Sequence, residues 1–508
     1  MRQLVTGAQM KSIDRYAIEE MGIPSMVLME RAALSVTEEM EKELLPGDRI
    51  LVACGTGNNG ADGAAVARML FLKGYEVTVV TVGNKEQRTE EMRLQTDIDE
   101  RLGISVVEME DFIPGSCQVA VDALFGVGLS RKVEGIYQEA MKMLADMKPR
   151  LTVAVDIPSG IHSDTGKVMG TAVQADLTVT FGYEKVGLLL FPGRDYCGRV
   201  VLKDIGFPSC PDEKLQGIRF AALDKRDREK IPLRKADSNK GTYGRVLIAA
   251  GSPGMAGAAY LSALAAYRTG AGLVKILTPK ENGPILQMLL PEAILTAYDR
   301  EEVLENPEGF SLLVERECGW ADAVVLGPGI GKEPWAVKLV QQVLLSAFVP
   351  IVLDADGLNI VAENPSLLEY FTENVIVTPH VGEMARLTGL EIPEVKEKLL
   401  ETAVSYSEKH GVITILKDAA TVIAGKDEPV CINRSGCAAM AKAGSGDVLT
   451  GVVAGLIAMG MEEREAANLG VYLYGLAGEE AERKFGSHSV LAENLANCIM
   501  KDIEEKRE

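Results

Sequence analysis

The sequence predicts an α/β protein of two domains, each built on a mostly parallel sheet covered by helices. Short runs rich in Val, Ile and Leu alternate with helical patterns along the whole chain, the pattern of parallel strands buried on both faces. Composition agrees, with 51 glycines, 47% hydrophobic residues and 25% charged residues. A chain of 508 residues also exceeds one hydrophobic core, since a domain takes roughly 150 residues.

In the first half, strands are read at 49–54, 76–82, 117–122, 151–155 and 176–181, with helices between them. A last strand, RVVLKD (199–204), leads into the polar segment SCPDEKLQG. The stretch 220–240 is rich in charge and weakly periodic, and a fresh strand begins at RVLIAAG (245–251). The domains are accordingly set at 1–219 and 225–508. In the second, strands are read near 245–250, 272–277, 322–326, 350–353, 374–377, 412–416 and 420–424, followed by long helices from 445 onward. No fixed-period repeat and no low-complexity tract occurs, which argues against a solenoid.

Charge and cysteine usage narrow the function. With 53 Lys and Arg against 73 Asp and Glu, the formal charge of −20 repels nucleic acid and anionic membrane, and small molecules are the expected partners. Eight cysteines form no C-x-x-C pair, and four histidines give no zinc spacing, so reduced and mostly buried thiols are expected. The first residues, MRQLVTGAQMKSIDRY, lack the apolar core of a signal peptide, and no apolar stretch approaches membrane-spanning length. A cytoplasmic protein is expected.

GTGNNGADG (55–63) satisfies G-x-G-x-x-G between the run ILVAC and a helical segment. A dinucleotide fingerprint also needs an acid about twenty residues on to hold the ribose. Here the next strand, EVTVVTVG (76–83), ends without one. Glycines 55, 57, 60 and 63 are expected to let the backbone approach a ligand, with an anion at the helix N-terminus. Two further strand tips carry acids, Asp122 in VAVDALFGVGLSRK and Asp156 in VAVDIPSGIHSDTG. In an open parallel sheet these loops meet at the carboxyl edge, so Asn58, Asn59, Asp122, Asp156 and Ser159 can converge. Such oxygen-rich side chains suit a hard cation, or one carboxylate acting as general acid and base. A lone strand-end Asp would more simply cap a helix or turn; three such loops together favour a site.

Taken together, GTGNNGADG, VDALFGVGLSR and VDIPSG resemble NAD(P)H-hydrate epimerase, over roughly residues 1–215. This family interconverts the R and S forms of NADH or NADPH that have taken up water on the nicotinamide ring. The resemblance implies a Rossmann-like three-layer sandwich. It implies that Asn58, Asn59, Gly60, Ala61 and Asp62 contact the hydrated dinucleotide, as do Gly126, Val127, Gly128, Leu129, Ser130, Arg131, Lys132 and Asp156. It further implies a potassium ion (K+) on Asn59, Asp122 and Ser159, with Asp122 as the proton-transfer group. Ala61 departs from the family, which usually has Gly there. The loop therefore reads as holder of a damaged dinucleotide, not of a hydride cofactor.

In the second domain, AKAGSGDVLTG (441–451) opens an apolar helix. Backbone N–H groups of Gly444, Ser445 and Gly446 can neutralise a transferring phosphoryl group, and Asp447 is placed to take a proton from an acceptor hydroxyl. An ordinary N-cap is the plainer reading. No G-x-x-x-x-G-K-[ST] occurs, which excludes a P-loop kinase.

With KGTYGRVLIAAGSPGMAGAAYL (240–261), LGPGIG (326–331), LDADGLN (353–359), TPHVGEMARL (378–387) and ILKDAATVIA (415–424), this stretch resembles the ribokinase-like superfamily, and within it the nucleotide-dependent NAD(P)H-hydrate dehydratases. The resemblance covers about 225–505 and implies that Asp447 is the catalytic base. It sets the nucleotide against Lys417, Asp418, Ala419, Ala420 and Thr421 and against Gly444, Ser445 and Gly446, and it lines the hydrate site with Ala258, Gly329, His380 and Asp447. Glu383 would steer magnesium (Mg2+) through water, while His380 could instead simply cap its helix. Val381 replaces the family's usual Pro.

The implied activity is repair of hydrated NADH and NADPH by two fused enzymes, the epimerase feeding the S form to an ADP-dependent dehydratase that yields NAD(P)H, AMP and phosphate. ADP is preferred to ATP by resemblance to fused bacterial members, and a homo-oligomer is expected. Two other readings stay open: a kinase of a vitamin alcohol, and an N-terminal domain that senses dinucleotides without turnover.

Overall fold

The computed structural model of the chain describes residues 1–500. Its α/β fold is the class expected, in two compact units: residues 3–220, and the residues from 221 onward together with Met1 and Arg2.

The first nine strands are β1 (Arg2–Val5), β2 (Arg49–Cys54), β3 (Glu76–Thr81), β4 (Ser105–Glu108), β5 (Val119–Ala123), β6 (Leu151–Val155), β7 (Leu177–Phe181), β8 (Glu184–Lys185) and β9 (Arg199–Lys203). Seven of them form an all-parallel sheet in the order β4-β3-β2-β5-β6-β7-β9. Strand order runs one way from β2 to β4 and the other way from β5 to β9. The loops leaving β2 and β5 therefore diverge and open a crevice at the carboxyl edge. Separately, β1 pairs in parallel with β8, which sets Val5 opposite Lys185.

Helices α1 (Gly7–Arg15), α2 (Ser25–Glu41), α3 (Asn58–Leu72), α4 (Glu90–Leu102) and α5 (Ile136–Asp146) complete the unit's long elements. Val52, Val79, Val121 and Val153 of the sheet join Val36 of α2 and Ala64 and Ala67 of α3 in one core. Leu51, Ala53, Val80 and Ala120 point to the other face and pack with Ala140 and Leu144 of α5. Burial on both faces is why these strands read as continuous apolar runs.

The short strand β10 (Phe220–Ala222) is followed by β11 (Arg245–Ala249), β12 (Leu273–Pro279), β13 (Ile294–Tyr298), β14 (Ala323–Leu326), β15 (Ile351–Leu353), β16 (Val375–Val377), β17 (Ile413–Leu416), β18 (Val422–Ala424) and β19 (Val430–Ile432). Within the second unit they lie in the order β13-β12-β11-β14-β15-β16-β17-β18-β19. All pairings through β17 are parallel, and the last two are antiparallel.

Two helices, Ala256–Thr269 and Ser445–Ala458, pack on each other through small residues. A methyl group on Gly451 would fall 2.1 Å from the carbonyl oxygen of Ser262, and one on Gly455 would fall 2.9 Å from Cβ of Thr269. Only glycine permits that approach, which fixes where Asp447 at the helix start stands.

Six strands, β1, β4, β8, β10, β13 and β19, were not expected. β4 and β13 are edge strands with exposed or half-exposed positions, so they lack the continuous apolar run of a central parallel strand. β1, β8, β10 and β19, at four, two, three and three residues, are too short to show a period. All eight cysteines are free thiols, five of them buried. No helix among the described residues is long and apolar enough to cross a membrane.

Candidate active sites

A cavity of about 520 Å³ opens at the crevice of the first unit, lined by Asn58, Asn59 and Asp62 of α3, by residues 124–129, by Asp156, and by Asp14 and Lys185. Its size suits part of a dinucleotide. Of the residues named from sequence, Asn58, Asn59, Asp62, Gly126, Val127, Gly128, Leu129 and Asp156 line it. Gly60 and Ala61 are buried and Ser130, Arg131 and Lys132 exposed, all five outside the lining.

The glycines of the loop serve a different purpose from the one expected. A methyl group would lie 2.1 Å from Leu124 O at Gly55, 2.0 Å from Gly55 O at Gly60, and 2.4 Å from Cβ of Ala123 at Gly63. Gly60 seats α3 on the turn after β2, Gly55 seats that turn on the loop after β5, and Gly63 seats α3 on β5. Only Gly57, the N-cap of α3, has open space where a side chain would stand, so it alone leaves room for a ligand.

Asp122, next to last in β5, is fully buried. Ser159 donates to it twice, from Oγ to Oδ1 at 2.6 Å and from its N–H to Oδ2 at 2.7 Å. The Phe125 N–H in turn donates to Ser159 Oγ at 2.8 Å, and the adjacent Gly126 packs against the Asn59 amide. The loop 124–126 thus ties Asn59, Asp122 and Ser159 together. Burial pushes the Asp122 carboxyl up to about 6, against the lowering hydrogen bonds of Ser159. Asp122 is not among the residues that line the cavity.

Asp156 holds a left-handed backbone, φ +70°, costly for a residue with a side chain and a mark of functional sites. Its Oδ1 accepts from Lys185 Nζ at 2.5 Å and from Thr180 Oγ1 at 2.9 Å. Lys185 is 1% exposed and also donates to Phe181 O at 3.1 Å. Asp14 and Asp62 line the same cavity, and among the described residues neither carboxyl has a hydrogen-bond partner. Burial raises Asp14 to about 6, with Lys185 opposing and Asp156 reinforcing. Burial, then Asp156 and Asp14, push Asp62 well above the usual carboxylate range. Asp14 and Lys185 carried no motif signal in the sequence; their place comes from α1 and from the β1–β8 pairing.

In the second unit, the ends of β15, β16 and β17 meet the start of the helix Ser445–Ala458. Lys417 Nζ donates to Oδ1 of buried Asp354 at 2.8 Å. A methyl group on Gly446 would stand 3.2 Å from Lys417 Nζ and 3.3 Å from Asp354 Oδ2, so loop and pair face each other. Gly444 caps the helix at φ +84° without a side-chain cap. The Ser445 N–H donates to Lys442 O, whereas those of Gly446 and Asp447 take no acceptor among the described residues and stay free for an anion. Asp447 is raised to about 7 by burial and then by Asp354, with Lys417 opposing.

Ala258 and Gly329 adjoin: a methyl group on Gly329 would lie 2.8 Å from Cβ of Ala258. Of the remaining residues named for the nucleotide, Asp418 and Ala419 are exposed, Ala420 is buried, and Thr421 precedes β18. His380 caps its helix, Nδ1 accepting from the N–H groups of Gly382 at 2.9 Å and Glu383 at 3.3 Å, while Glu383 Oε2 accepts from the His380 N–H at 2.8 Å. An acceptor Nδ1 leaves the ring proton on Nε2, and burial with Lys417 and Arg386 lowers the ring's pKa. Asp354 stood inside a quoted motif, yet nothing local marked it as the partner of Lys417.

Comparison with known proteins covers both units. The family model for NAD(P)H-hydrate dehydratase matches residues 246–501, and that for the YjeF-related protein N-terminus matches residues 25–187. The bifunctional NAD(P)H-hydrate repair enzyme Nnr of Moorella thermoacetica is 38% identical over 99% of this chain and 98% of its own length. That of Escherichia coli is 33% identical over 96% and 92%. A ribokinase-like superfamily protein from Enterococcus faecalis, solved as a crystal structure, is 27% identical over 56% of this chain and 96% of its own, with a TM-score of 0.50.

Proposed function

The chain belongs to the family of bifunctional NAD(P)H-hydrate repair enzymes, and from that premise we propose how its two sites divide the work. The first unit interconverts the R and S hydrates of NADH and NADPH. The second dehydrates the S form at the expense of a nucleoside phosphate. Matches over both halves do not favour the vitamin-alcohol kinase.

The observation that carries the second activity is Asp447 beside two free N–H groups and the Lys417–Asp354 pair. Hydroxide is a poor leaving group from the carbon next to the ring nitrogen. Asp447 takes the hydroxyl proton as that oxygen attacks the terminal phosphorus of ADP, and AMP departs. The nitrogen lone pair then expels phosphate, and loss of a proton from the neighbouring carbon restores the dihydropyridine. The Gly446 and Asp447 N–H groups hold the phosphoryl oxygens, and Lys417 stands against the nucleotide with Asp418, Ala419, Ala420 and Thr421 beyond it. Ala258, Gly329 and His380 line the hydrate. Bound Mg2+ would neutralise phosphate charge; Glu383, with Oε2 committed to the His380 N–H, would reach it through water.

In the first unit, Asn58, Asn59, Asp62, residues 126–129 and Asp156 bind the hydrate. Asn59, Asp122 and Ser159 fit K+: their oxygens are hard donors, and the buried Nδ2 of the Asn59 amide has no hydrogen-bond partner among the described residues. The ion would supply fixed positive charge beside the loop 124–126. Small molecules as the only partners, a homo-oligomer and a cytoplasmic setting complete the reading.

The test is recovery of reduced-nicotinamide absorbance from mixed R and S hydrates with Mg2+ and either ADP or ATP. Full recovery with ADP is expected. Recovery of the S form alone removes the epimerase, and no recovery with either nucleotide removes the dehydratase.

A further inference from the structure

Inverting the hydroxyl-bearing carbon requires a proton to be given to one oxygen and taken from another. A group that does this must present a free carboxyl edge to the substrate. Four carboxyls stand near the first cavity, and two are already committed: Asp122 to Ser159, away from the lining, and Asp156 to Lys185 and Thr180. Asp14 and Asp62 remain, on different helices, lining the cavity without a hydrogen-bond partner among the described residues.

We propose that Asp14 and Asp62 are the catalytic proton carriers of the epimerase, and that Lys185, anchored on Asp156, is the positioning residue that sets their charge. The inference rests on the epimerase reading of this unit. Three carboxyls surround one buried ammonium, and Asp156 neutralises it. Among the described residues that line the cavity, no second buried cation remains for Asp14 and Asp62; Lys11 is exposed, and Tyr137 adds only a phenol. Two ionised carboxylates without a cation in a partly dry cavity repel each other, so one keeps a proton near neutrality. The raised values of both groups agree.

The pair is then acid and base at once. The protonated carboxyl gives its proton to the hydroxyl oxygen as the carbon–oxygen bond breaks with both electrons on oxygen, releasing water. The ring-nitrogen lone pair closes the carbon–nitrogen double bond, and the resulting cation lies beside carboxylate. Water adds to the opposite face, and the ionised partner takes the proton it sheds. One proton is given and one taken, so the pair ends with the charge it began with, roles exchanged.

The experiment uses the full chain with purified R-form NADH hydrate and, separately, S-form hydrate, both with ADP and Mg2+. Dehydration of the S form reports on the second unit, and a loss of unhydrated NADH binding in a variant that still dehydrates the S form reports on the first unit's cavity. Asp14→Asn and Asp62→Asn should each lower R-form conversion about 100-fold or more, with S-form dehydration retained in both and NADH binding retained in Asp14→Asn, and Asp14→Glu should recover part of the loss. Retention of R-form conversion within a few-fold in a variant that binds NADH overturns the assignment. A wild-type chain inactive on the R form would instead remove the epimerase reading itself.

Should these variants not fold, the wild-type pH profile decides: a bell-shaped profile supports the pair, and a flat profile from about pH 5 to about pH 9 sinks it. Lys185→Met should move both limbs to higher pH, because its cation lowers both carboxyls; unchanged limbs would make Lys185 merely structural.

Discussion

Lys417 Nζ sits 2.8 Å from Oδ1 of Asp354, and Gly446 at the head of the helix Ser445–Ala458 faces both. Asp354 is 1% exposed, so its charge depends on that ammonium. Lys417→Met is expected to destabilise the second unit by on the order of 3 kcal/mol, because the carboxylate is left buried and unpaired. Lys417→Met with Asp354→Asn should recover much of that stability while dehydration stays impaired. Thermal melts beside S-form turnover measure the two effects separately.

Asp447 must be ionised to accept a proton, and its environment raises it to about 7. S-form dehydration should therefore climb as pH passes through about 7 and level off above it. Asp447→Asn should cost about 10²- to 10⁴-fold in turnover with nucleotide binding intact. Rates of the wild type across pH, beside nucleotide titration of the variant, check both.

Asp99 of α4 is fully buried, and neither carboxyl oxygen has a hydrogen-bond partner among the described residues. Burial raises it to about 7 from 3.8, with Arg68 opposing. The folded state then holds the proton more tightly than the unfolded one. Stability should fall as pH rises from about 4 to about 7 and be flat above. Asp99→Asn should remove that slope and stabilise the first unit at pH 8 by a few kcal/mol, on the order set by three pKa units. Melts at pH 5 and pH 8 would show it; an unchanged difference between them would count against the buried proton.

The fold was legible where strands are buried on both faces, as in β2, β5 and β14, because each is an apolar run bounded by a turn. Edge strands β4 and β13 are half-solvated and carry no such run. The sites were legible where chemistry is local in sequence, as in GTGNNGADG and AGSGD. Asp14 and Lys185 were not, since 171 residues separate them in the chain (185 less 14) and only the fold brings them to one cavity. The glycines show the same limit from the other side. Their spacing announced a tight turn, but which of them faces a ligand depends on what lies across the sheet.

That distinction yields the last prediction. Gly57 and Gly60 are three residues apart, at the N-cap and in the first turn of α3, yet a methyl group would lie 2.0 Å from Gly55 O at Gly60 and meet nothing within 4 Å at Gly57. Gly57 also has φ −93°, which any residue adopts, so nothing in the backbone demands glycine there. Gly60→Ala should therefore destabilise the first unit by about 1 to 3 kcal/mol or more, through displacement of α3 from its turn. Gly57→Ala should leave the melting temperature unchanged and weaken capture of the R-form hydrate, since the methyl group occupies space reserved for ligand. If Gly57→Ala raises neither the KM for the hydrate nor the Kd for NADH, the open position is not where the dinucleotide lies.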